Sequence, residues 1–381
     1  MKITIVFILS FHFAFLKAQT RYKELSFELL NQAKINHVFD YKSCAILEKE
    51  LEAFSEEASK TFFLQKSKLI FLEVKYGQKP NYLQFESLKE VINENSIDSL
   101  IASITNIDQI NKAIQGLEPQ NKEYQNYKKV ITSDSLYNLF KDNLNIFRYL
   151  NRFNFTKYIL VNIPSAKLTT FYQNQKVLEM NIIVGQKDKQ TPRMITLMDA
   201  IVIYPYWTPT RSIAINEILP KVKKNINYLE NNNFDVLDAK RNLVNPDTLK
   251  WASFSANFFP YQFRQGTGCD NSLGLLKFNI INPFSVYMHD TSHNKQSMSL
   301  FEKENRFFSH GCIRLSMPLE LANWVLDKPM ITDEFMNTCV KNSKTSTIKL
   351  KEKIPVLIIY NTSEIDVNGE GIIFKDIYKL K

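Results

Sequence analysis

The sequence predicts an α+β protein in which a helical N-terminal scaffold, residues 19–150, precedes a β-rich domain, residues 151–381. Two observations carry this prediction. Apolar residues recur at helical spacing before residue 150, and short apolar runs of strand length follow one another after it. Because no helices separate most of these runs, we expect a mainly antiparallel or mixed sheet with a sandwich-like form. At 381 residues, the chain is long enough for two domains.

The helical scaffold is predicted from apolar side chains spaced three or four residues apart. The clearest positions are Leu25, Leu29, Ala33, Val91 and Ile92. Proline-containing polar segments at 78–81 and 118–121 separate the helices. No residue pattern here indicates chemistry, so the region is interpreted as a scaffold.

The β-rich domain is predicted from runs of β-branched and aromatic residues. The strand candidates are 158–163, 168–172, 177–185, 200–207, 276–280, 285–288 and 354–360. Helical patterns interrupt them at about 212–265, which indicates a helical insertion into the sheet domain. A short helix is expected at 319–326, with Ser316 as its N-cap and Pro318 in its first turn.

Composition limits the classes of partner. Hydrophobic residues make up 44% of the chain, charged residues 23%, and the net charge is +9. That charge is compatible with an anionic partner such as nucleic acid, lipid head groups or an acidic wall polymer. Acidic residues are interleaved with the lysines and no dense basic block occurs. A generally lysine-rich composition is therefore the favoured interpretation, and no nucleic acid is expected.

The N-terminus predicts export. Met1 and Lys2 precede an apolar stretch at 3–16, and Ala18 offers a cleavage point. Residues 1–18 are therefore interpreted as a signal peptide, with an uncleaved anchor as the alternative. We expect the protein in the periplasm or cell envelope, with membrane contact through this segment only.

The four cysteines do not suggest a disulfide framework. Cys44, Cys269, Cys312 and Cys339 are widely spaced and form no CxxC pair. In an exported protein, a thiol that stays reduced within a special sequence is more often catalytic than incidental.

One short segment, Ser309-His310-Gly311-Cys312-Ile313-Arg314, carries the chemical signal, together with His289 upstream. A thiol and two imidazoles are the components of a cysteine nucleophile with a base. Glycine before the cysteine lets the backbone approach a reacting carbonyl, and the amides around Gly311 and Cys312 are candidate oxyanion donors. Arg314 is suited to hold a substrate carboxylate in a bidentate manner.

Two other interpretations of these residues remain. The pairs His289/His293 and His310/Cys312 have spacings that zinc ligands also show. Histidines four apart share a face only on a helix, whereas His289 ends a strand, so no metal and no cofactor are expected. A buried cysteine among incidental histidines is the second alternative. His293, in a polar run, is expected to be a solvent-exposed loop residue.

The motif and its flanks resemble the L,D-transpeptidase catalytic domain (YkuD) family, and most closely its large YcbB-like branch. The resemblance runs in order over roughly residues 125–381. The matching segments are 158–164, 184–185, 190–192, 204–210, 218–221, 271–274, 277–279 and 287–291.

This resemblance implies that Cys312 is the nucleophile and that His289, rather than His310, is the base. It implies an orienting backbone carbonyl near His289, with Asp290 as a weaker candidate. The other implied roles are oxyanion or loop support for Gly311, His310 and Ser309, and substrate binding for Arg314, Tyr287 and Trp207. The insertion would correspond to the branch's capping subdomain, giving a YkuD-like catalytic domain with a cap.

The implied activity is a peptidoglycan L,D-transpeptidase of cell wall biogenesis. Such an enzyme takes a tetrapeptide stem as donor, releases D-Ala, forms a cysteine thioester and transfers it to a second stem as a 3→3 cross-link. Carbapenem-type inhibitors are expected to acylate the same thiol. The alternatives are an L,D-carboxypeptidase or amidase that hydrolyses wall peptide bonds on the same fold, and a non-catalytic wall-binding module.

Overall fold

The computed structural model describes residues 21–338, 340–366 and 368–380. The predicted signal peptide, residues 1–18, and Cys339 lie outside the described residues. Among the helices that are described, none combines the length and the apolar character needed to cross a membrane.

The first part of the chain is mostly helical, as the apolar periodicity predicts. The prediction is wrong at Val91 and Ile92, which lie in an exposed segment without helical structure. The helices are α1 (21–35), α2 (Tyr41–Glu52), α3 (Glu56–Tyr76), α4 (Glu94–Ser103), α5 (Ile107–Leu117), α6 (Lys122–Val130) and α7 (Asp134–Leu150). Ser55 and Ser133 occupy the N-caps of α3 and α7, and each hydroxyl accepts a hydrogen bond from a backbone N–H three residues later. Apolar side chains of α1, α3, α4 and α5 form one common core.

A mixed sheet dominates the second part of the chain. The strands are β1 (Phe85–Glu86), β2 (Lys157–Asn162), β3 (Lys167–Tyr172), β4 (Gln175–Gly185), β5 (Met194–Ile203), β6 (Phe234–Leu237), β7 (Gln262–Gln265), β8 (Leu276–Ile280), β9 (Met288–His289), β10 (Phe307–Ser309), β11 (Ile313–Leu315), β12 (Ser346–Ile359), β13 (Ser363–Ile365) and β14 (Gly371–Ile373). Together with the N-terminal helices, this arrangement confirms the predicted α+β class.

The main sheet closes on itself. Its strands follow the order β5, β12, β2, β3, β4, β11, β9 and β8, and β8 pairs back to β5. The β2–β3 and β3–β4 pairs are antiparallel, whereas the β12–β2 and β11–β9 pairs are parallel. The expectation of a sandwich-like domain is therefore refined to a closed mixed sheet around one apolar core.

The helical scaffold packs directly on this sheet. A second core joins α6 and α7 to β2, β3 and β12. At its centre Tyr158 stacks on Phe171, with ring centroids 4.8 Å apart. The strand β1, which follows the scaffold helix α3, pairs in parallel with β5.

The insertion lies between β5 and β8 and has its own core. Its helical elements are α8 (Arg211–Ile213), a π-helical turn (Ala214–Ile218), α9 (Leu219–Lys224) and α10 (Tyr228–Asn231). It also contains an antiparallel pair, β6 with β7, which the sequence did not predict. The local sequence pattern does not reveal this pair, because tertiary packing stabilises it: Val236 and Phe263 pair across it and are both buried.

Short helices also lie between the strands that follow β9. They are α11 (Lys295–Ser299), α12 (Pro318–Leu326) and α13 (Asp333–Asn337). Pro318 occupies the first turn of α12, as expected, but Ser316 is not its N-cap. Met317 holds that position without a side-chain hydrogen bond, because the helix begins at Pro318, whose missing N–H lessens the need for a cap.

Candidate active site

Three neighbouring strands bring the candidate residues to one face of the sheet. In the parallel β9–β11 pair, Arg314 lies opposite His289, and in the antiparallel β8–β9 pair Lys277 lies opposite His289. Successive side chains of a strand point to opposite faces. Ile313 and Met288, which directly precede Arg314 and His289, point into the core and are fully buried. Lys277, His289 and Arg314 therefore form a row on the other face.

The thiol of Cys312, directly before β11, meets this row at Tyr287. The backbone N–H and the phenol hydroxyl of Tyr287 both hydrogen-bond to the thiol, and the indole N–H of Trp207 donates to the same hydroxyl. Burial raises the pKa of Cys312, whereas the Tyr287 bonds and the charges of Lys277 and Arg314 oppose that rise. The resting thiol is thus protonated at neutral pH, with its thiolate stabilisers already in place.

His289 is buried, neutral and fixed in one orientation. The residue is 4% exposed, and Nδ1 lies 2.5 Å from the backbone carbonyl oxygen of Asp290. The carbonyl only accepts, so Nδ1 carries the proton and Nε2 is free to accept one. Burial and the positive charge of Arg314 lower the pKa of His289 to about 3, with a smaller contribution from Lys277.

The orienting group of His289 is thus a backbone carbonyl, as the resemblance implied. The Asp290 carboxylate, the weaker candidate, points elsewhere: it accepts hydrogen bonds from the backbone N–H groups of Leu275 and Thr291 and from His293 Nε2. The expectation that His293 is a solvent-exposed loop residue is therefore wrong. Its side chain is half-buried because it bonds, at 2.8 Å, to the buried carboxylate of Asp290, which also raises the pKa of His293.

Ser309 shapes the backbone before the thiol. Its buried hydroxyl accepts from the Gly311 N–H at 3.1 Å and donates to the Cys312 carbonyl at 2.5 Å. Gly311 has a φ of +112°, a region that disfavours side chains, and a Cβ there would lie 3.2 Å from the Gln190 carbonyl oxygen. Ser309 and Gly311 therefore act as loop support. An oxyanion role for the Gly311 amide stays a prediction. It requires the hydrogen bond from the Gly311 N–H to the Ser309 hydroxyl to break.

Sequence reasoning missed two residues that hold this loop from behind. The Thr191 hydroxyl donates to the Gly311 carbonyl at 2.9 Å and accepts from the Gly185 N–H at 2.8 Å. The Tyr378 hydroxyl donates to the Gly185 carbonyl at 2.6 Å and accepts from the Thr191 N–H. Thr191 belongs to a flanking segment that carried the resemblance, so it could have been singled out. Tyr378 had no signal in the sequence.

His310 points away from the thiol and towards the insertion. Its Nε2 lies 2.6 Å from Glu217 Oε1 in the π-helical turn, and Lys189 Nζ lies 3.2 Å from the same oxygen. Partial burial raises the pKa of Glu217, but the hydrogen bonds from His310 and Lys189 outweigh it and the pKa is lowered. His310 thus connects the cysteine loop to the insertion.

The histidines and cysteines do not gather as metal ligands would. His289 and His293 bond to different acceptors, and His310 turns away from Cys312. No group of three His, Cys, Asp or Glu side chains suited to a metal ion occurs in the part of the chain that the structure describes.

The remaining described cysteines lie outside the site. Cys44 is free and buried in the scaffold, and burial raises its pKa to about 11. Cys269 is disulfide-bonded. Cys312 is free and partly exposed, which leaves it as the one accessible free thiol among the described cysteines.

A thiol and a neutral imidazole on one face of a closed mixed sheet are the groups that a catalytic domain with a cysteine nucleophile needs. Residues 156–345 match the family model of the YkuD L,D-transpeptidase catalytic domain. This segment, which is about half of the chain and contains the thiol loop and His289, belongs to the YkuD family.

A curated relative supports the same assignment. A Haemophilus influenzae protein named "Putative L,D-transpeptidase" is 34% identical over 220 residues, which are 58% of this chain and 44% of that protein. The chain thus spans less than half the length of this relative.

Similar solved structures are also L,D-transpeptidases, at low similarity. One from Mycobacterium smegmatis is 14% identical, covering 54% of this chain and 58% of that one, with a TM-score of 0.26. L,D-transpeptidase 3 from Mycobacterium tuberculosis is 12% identical, with coverages of 54% and 61% and a TM-score of 0.26. An L,D-transpeptidase in complex with imipenem is 12% identical, with coverages of 54% and 59% and a TM-score of 0.24.

Proposed function

We propose that this protein is a peptidoglycan L,D-transpeptidase that forms 3→3 cross-links through a thioester on Cys312. The observation that carries the proposal is the shared sheet face. It holds a partly exposed thiol, an imidazole with a free Nε2, and two cations, Lys277 and Arg314. These groups supply the nucleophile, the proton acceptor and the positive charge that acyl transfer from an anionic peptide needs.

In the first half-reaction, Sγ of Cys312 attacks the carbonyl carbon that joins the third stem residue to the terminal D-Ala. The thiol proton passes to His289 Nε2. The tetrahedral intermediate collapses as its C–N bond breaks, and His289 returns the proton to the departing amine of D-Ala. The products are a thioester on Cys312 and free D-Ala.

In the second half-reaction, the side-chain amine of the third residue in another stem attacks the thioester carbonyl. His289 takes a proton from this amine, an amide bond forms, and the C–S bond breaks. The proton then returns to the Cys312 thiolate, which restores the resting enzyme. The low pKa of His289 favours rapid return of the proton in both half-reactions, because the protonated imidazole lies beside Arg314 and Lys277.

The polar groups around the thiol suit the two ends of the donor. Arg314 lies opposite His289 on β11, and in this proposal its guanidinium pairs with the carboxylate of the departing D-Ala. The hydroxyl of Tyr287, held by Trp207, already points at the thiol and is the best-placed side-chain donor for the oxyanion. Trp207 thereby acts on substrate through Tyr287.

The test uses purified protein with a disaccharide-tetrapeptide. Cross-linked dimer together with released D-Ala supports transfer, and Cys312→Ala must abolish both products. Cys44→Ala is the matched control, because that buried thiol lies in the scaffold, and it should keep full activity. Tripeptide without dimer would instead identify an L,D-carboxypeptidase.

An inhibitor offers an independent test of the nucleophile. Incubation with a carbapenem should add one acyl group to Cys312, detected by mass spectrometry of the intact protein and its peptides. An adduct that persists in Cys312→Ala would contradict the assignment.

Export to the periplasm or cell envelope is a further part of the proposal, supported by the basic start and apolar stretch at 1–18. Cell fractionation with mature N-terminal sequencing tests it. A cytoplasmic protein that begins at Met1 would count against export.

A further inference from the structure

Lys277 is a partly buried cation beside the thiol, and no step of the proposed reaction transfers a proton to it or forms a bond with it. It lies on β8 opposite His289, and its Nζ is 4.3 Å from the centroid of the Tyr287 ring. No carboxylate of the described residues forms a salt bridge with it, since no Asp or Glu oxygen lies within 4.0 Å of Nζ. A cation removed from water without a carboxylate needs another source of stabilisation.

The groups around Lys277 point to the thiol as that source. The Tyr287 ring, on which the ammonium rests, carries the hydroxyl that bonds to Cys312. The carboxylate of Asp290 is engaged by backbone N–H groups and His293, and the carboxylate of Glu217 is engaged by His310 and Lys189. Burial lowers the pKa of Lys277, and the charge of Cys312 opposes that shift.

We propose that Lys277 is a positioning residue that stabilises the Cys312 thiolate across the Tyr287 ring. It acts together with Arg314, since the two cations lie on either side of His289 in one row across β8, β9 and β11. The thiolate is then balanced by fixed cations, and the imidazole between them stays neutral. The catalytic meaning of this role rests on the proposed transpeptidase function, but the acidity of the thiol does not.

The charge of Lys277 has a measurable consequence for the reactivity of Cys312. The thiolate, not the thiol, reacts with iodoacetamide, so the alkylation rate against pH gives the midpoint of thiol ionisation. An opposite charge within about 4–6 Å shifts a pKa by about 1–3 units. Lys277→Met should therefore raise the midpoint by about one unit and slow alkylation about tenfold at a fixed pH below both midpoints.

Three variants separate charge from shape. Lys277→Arg keeps the charge and should keep the wild-type midpoint, whereas Lys277→Gln should match Lys277→Met and replaces it if Met does not fold. Lys221→Met is the matched control, because Lys221 also rests on a tyrosine ring, 5.3 Å from the Tyr228 centroid, but in the insertion. Its midpoint should equal that of the wild type. Alkylation is read on the Cys312 peptide by mass spectrometry, so Cys44 does not contribute.

Two results would overturn the proposal. One is an unchanged midpoint in a folded neutral variant, Lys277→Met or Lys277→Gln. The other is an equal rise in Lys277→Arg, which would make the effect one of shape. A failed transpeptidase assay with wild-type protein, combined with the expected rise in midpoint, would reject the proposed function and leave the role of Lys277 standing.

Discussion

The two halves of the candidate site are built differently. Lys277, His289 and Arg314 stand on adjacent strands, and their relative positions are fixed by backbone register. His310 and Glu217, by contrast, meet through exposed side chains, and Glu217 comes from the insertion. The sheet half therefore holds the reacting groups rigidly, whereas the insertion half is held by contacts that can break at little cost.

The two halves also differ in the free energy that a mutation is expected to cost. Removing the partner of a buried polar group costs about 1–3 kcal/mol, because the remaining group is left unsatisfied. An exposed ion pair contributes about 0–1 kcal/mol. Changes in the sheet half should thus damage chemistry and folding together, whereas changes in the insertion half should affect access for large substrates.

The largest expected effect is a difference in reaction rate between variants of His289 and His310. His289→Gln removes the proton acceptor and should lower the rate of dimer formation by about 10²–10⁴-fold. The matched variant His310→Gln removes only the contact to Glu217 and should cost less than about tenfold. The measurement is initial rates with the disaccharide-tetrapeptide. Equal losses of rate in the two variants would contradict the assignment of His289 as the base.

The second effect is on stability against pH. The pKa of His289 is about 3 when folded, because of burial and the neighbouring Arg314, and about 6.5 when unfolded. The unfolded chain therefore binds the extra proton first as pH falls. The stabilisation is fully present above pH 6.5 and is lost towards pH 3, at up to about 1.4 kcal/mol per pH unit.

Urea unfolding at several pH values measures this loss. Other groups also titrate over this range, so the informative quantity is the difference in slope between wild type and His289→Gln, which lacks the imidazole. A shallower slope in the variant is expected. Identical slopes would show that His289 is not held neutral in the folded protein.

The third effect concerns the support behind the thiol loop. Thr191→Val removes the hydroxyl that bonds to Gly311 and Gly185 and should lower the free energy of unfolding by about 1–3 kcal/mol. Thr347→Val, at an exposed position of β12, is the control and should change it by less than about 0.5 kcal/mol. Equal values from urea unfolding would mean that Thr191 does not support the loop.

The sequence could predict the fold class, the insertion and part of the sheet half, but not the contacts that bring distant segments together. The run of strand-forming residues after residue 150 and the glycine before Cys312 are local patterns, so the fold class and the candidate thiol were accessible. The strand predicted at 285–288 is wrong except at Met288, because only Met288–His289 pair with neighbouring strands, and the choice of His289 as base came from the family resemblance. Lys277 and Tyr378 reach the site through strand register and chain path, which local patterns do not encode. The contact between His310 and Glu217 spans 93 residues and depends on how the insertion folds back. His293 was misjudged for a similar reason, since its partner Asp290 is buried only in the closed sheet.

The smallest expected effect tests the insertion half directly. Glu217→Gln removes the charge that His310 and Lys189 share, and should change stability by at most about 1 kcal/mol because the Glu217 side chain is 41% exposed. The thiol itself is bonded to Tyr287 and not to this contact. Alkylation of Cys312 by iodoacetamide, a small reagent, should therefore stay at the wild-type rate.

The same variant should behave differently towards a large donor. If the contact holds the insertion beside the cysteine loop, kcat/KM for the disaccharide-tetrapeptide should change a few-fold in Glu217→Gln. High salt should reduce the difference between the variant and the wild type, because exposed charges are screened. Glu230→Gln, at another exposed carboxylate of the insertion, is the control and should leave both rates unchanged. An equal change in alkylation and transpeptidation in Glu217→Gln would show that the two halves are coupled at the thiol itself, which the separate hydrogen-bond partners of Cys312 and His310 argue against.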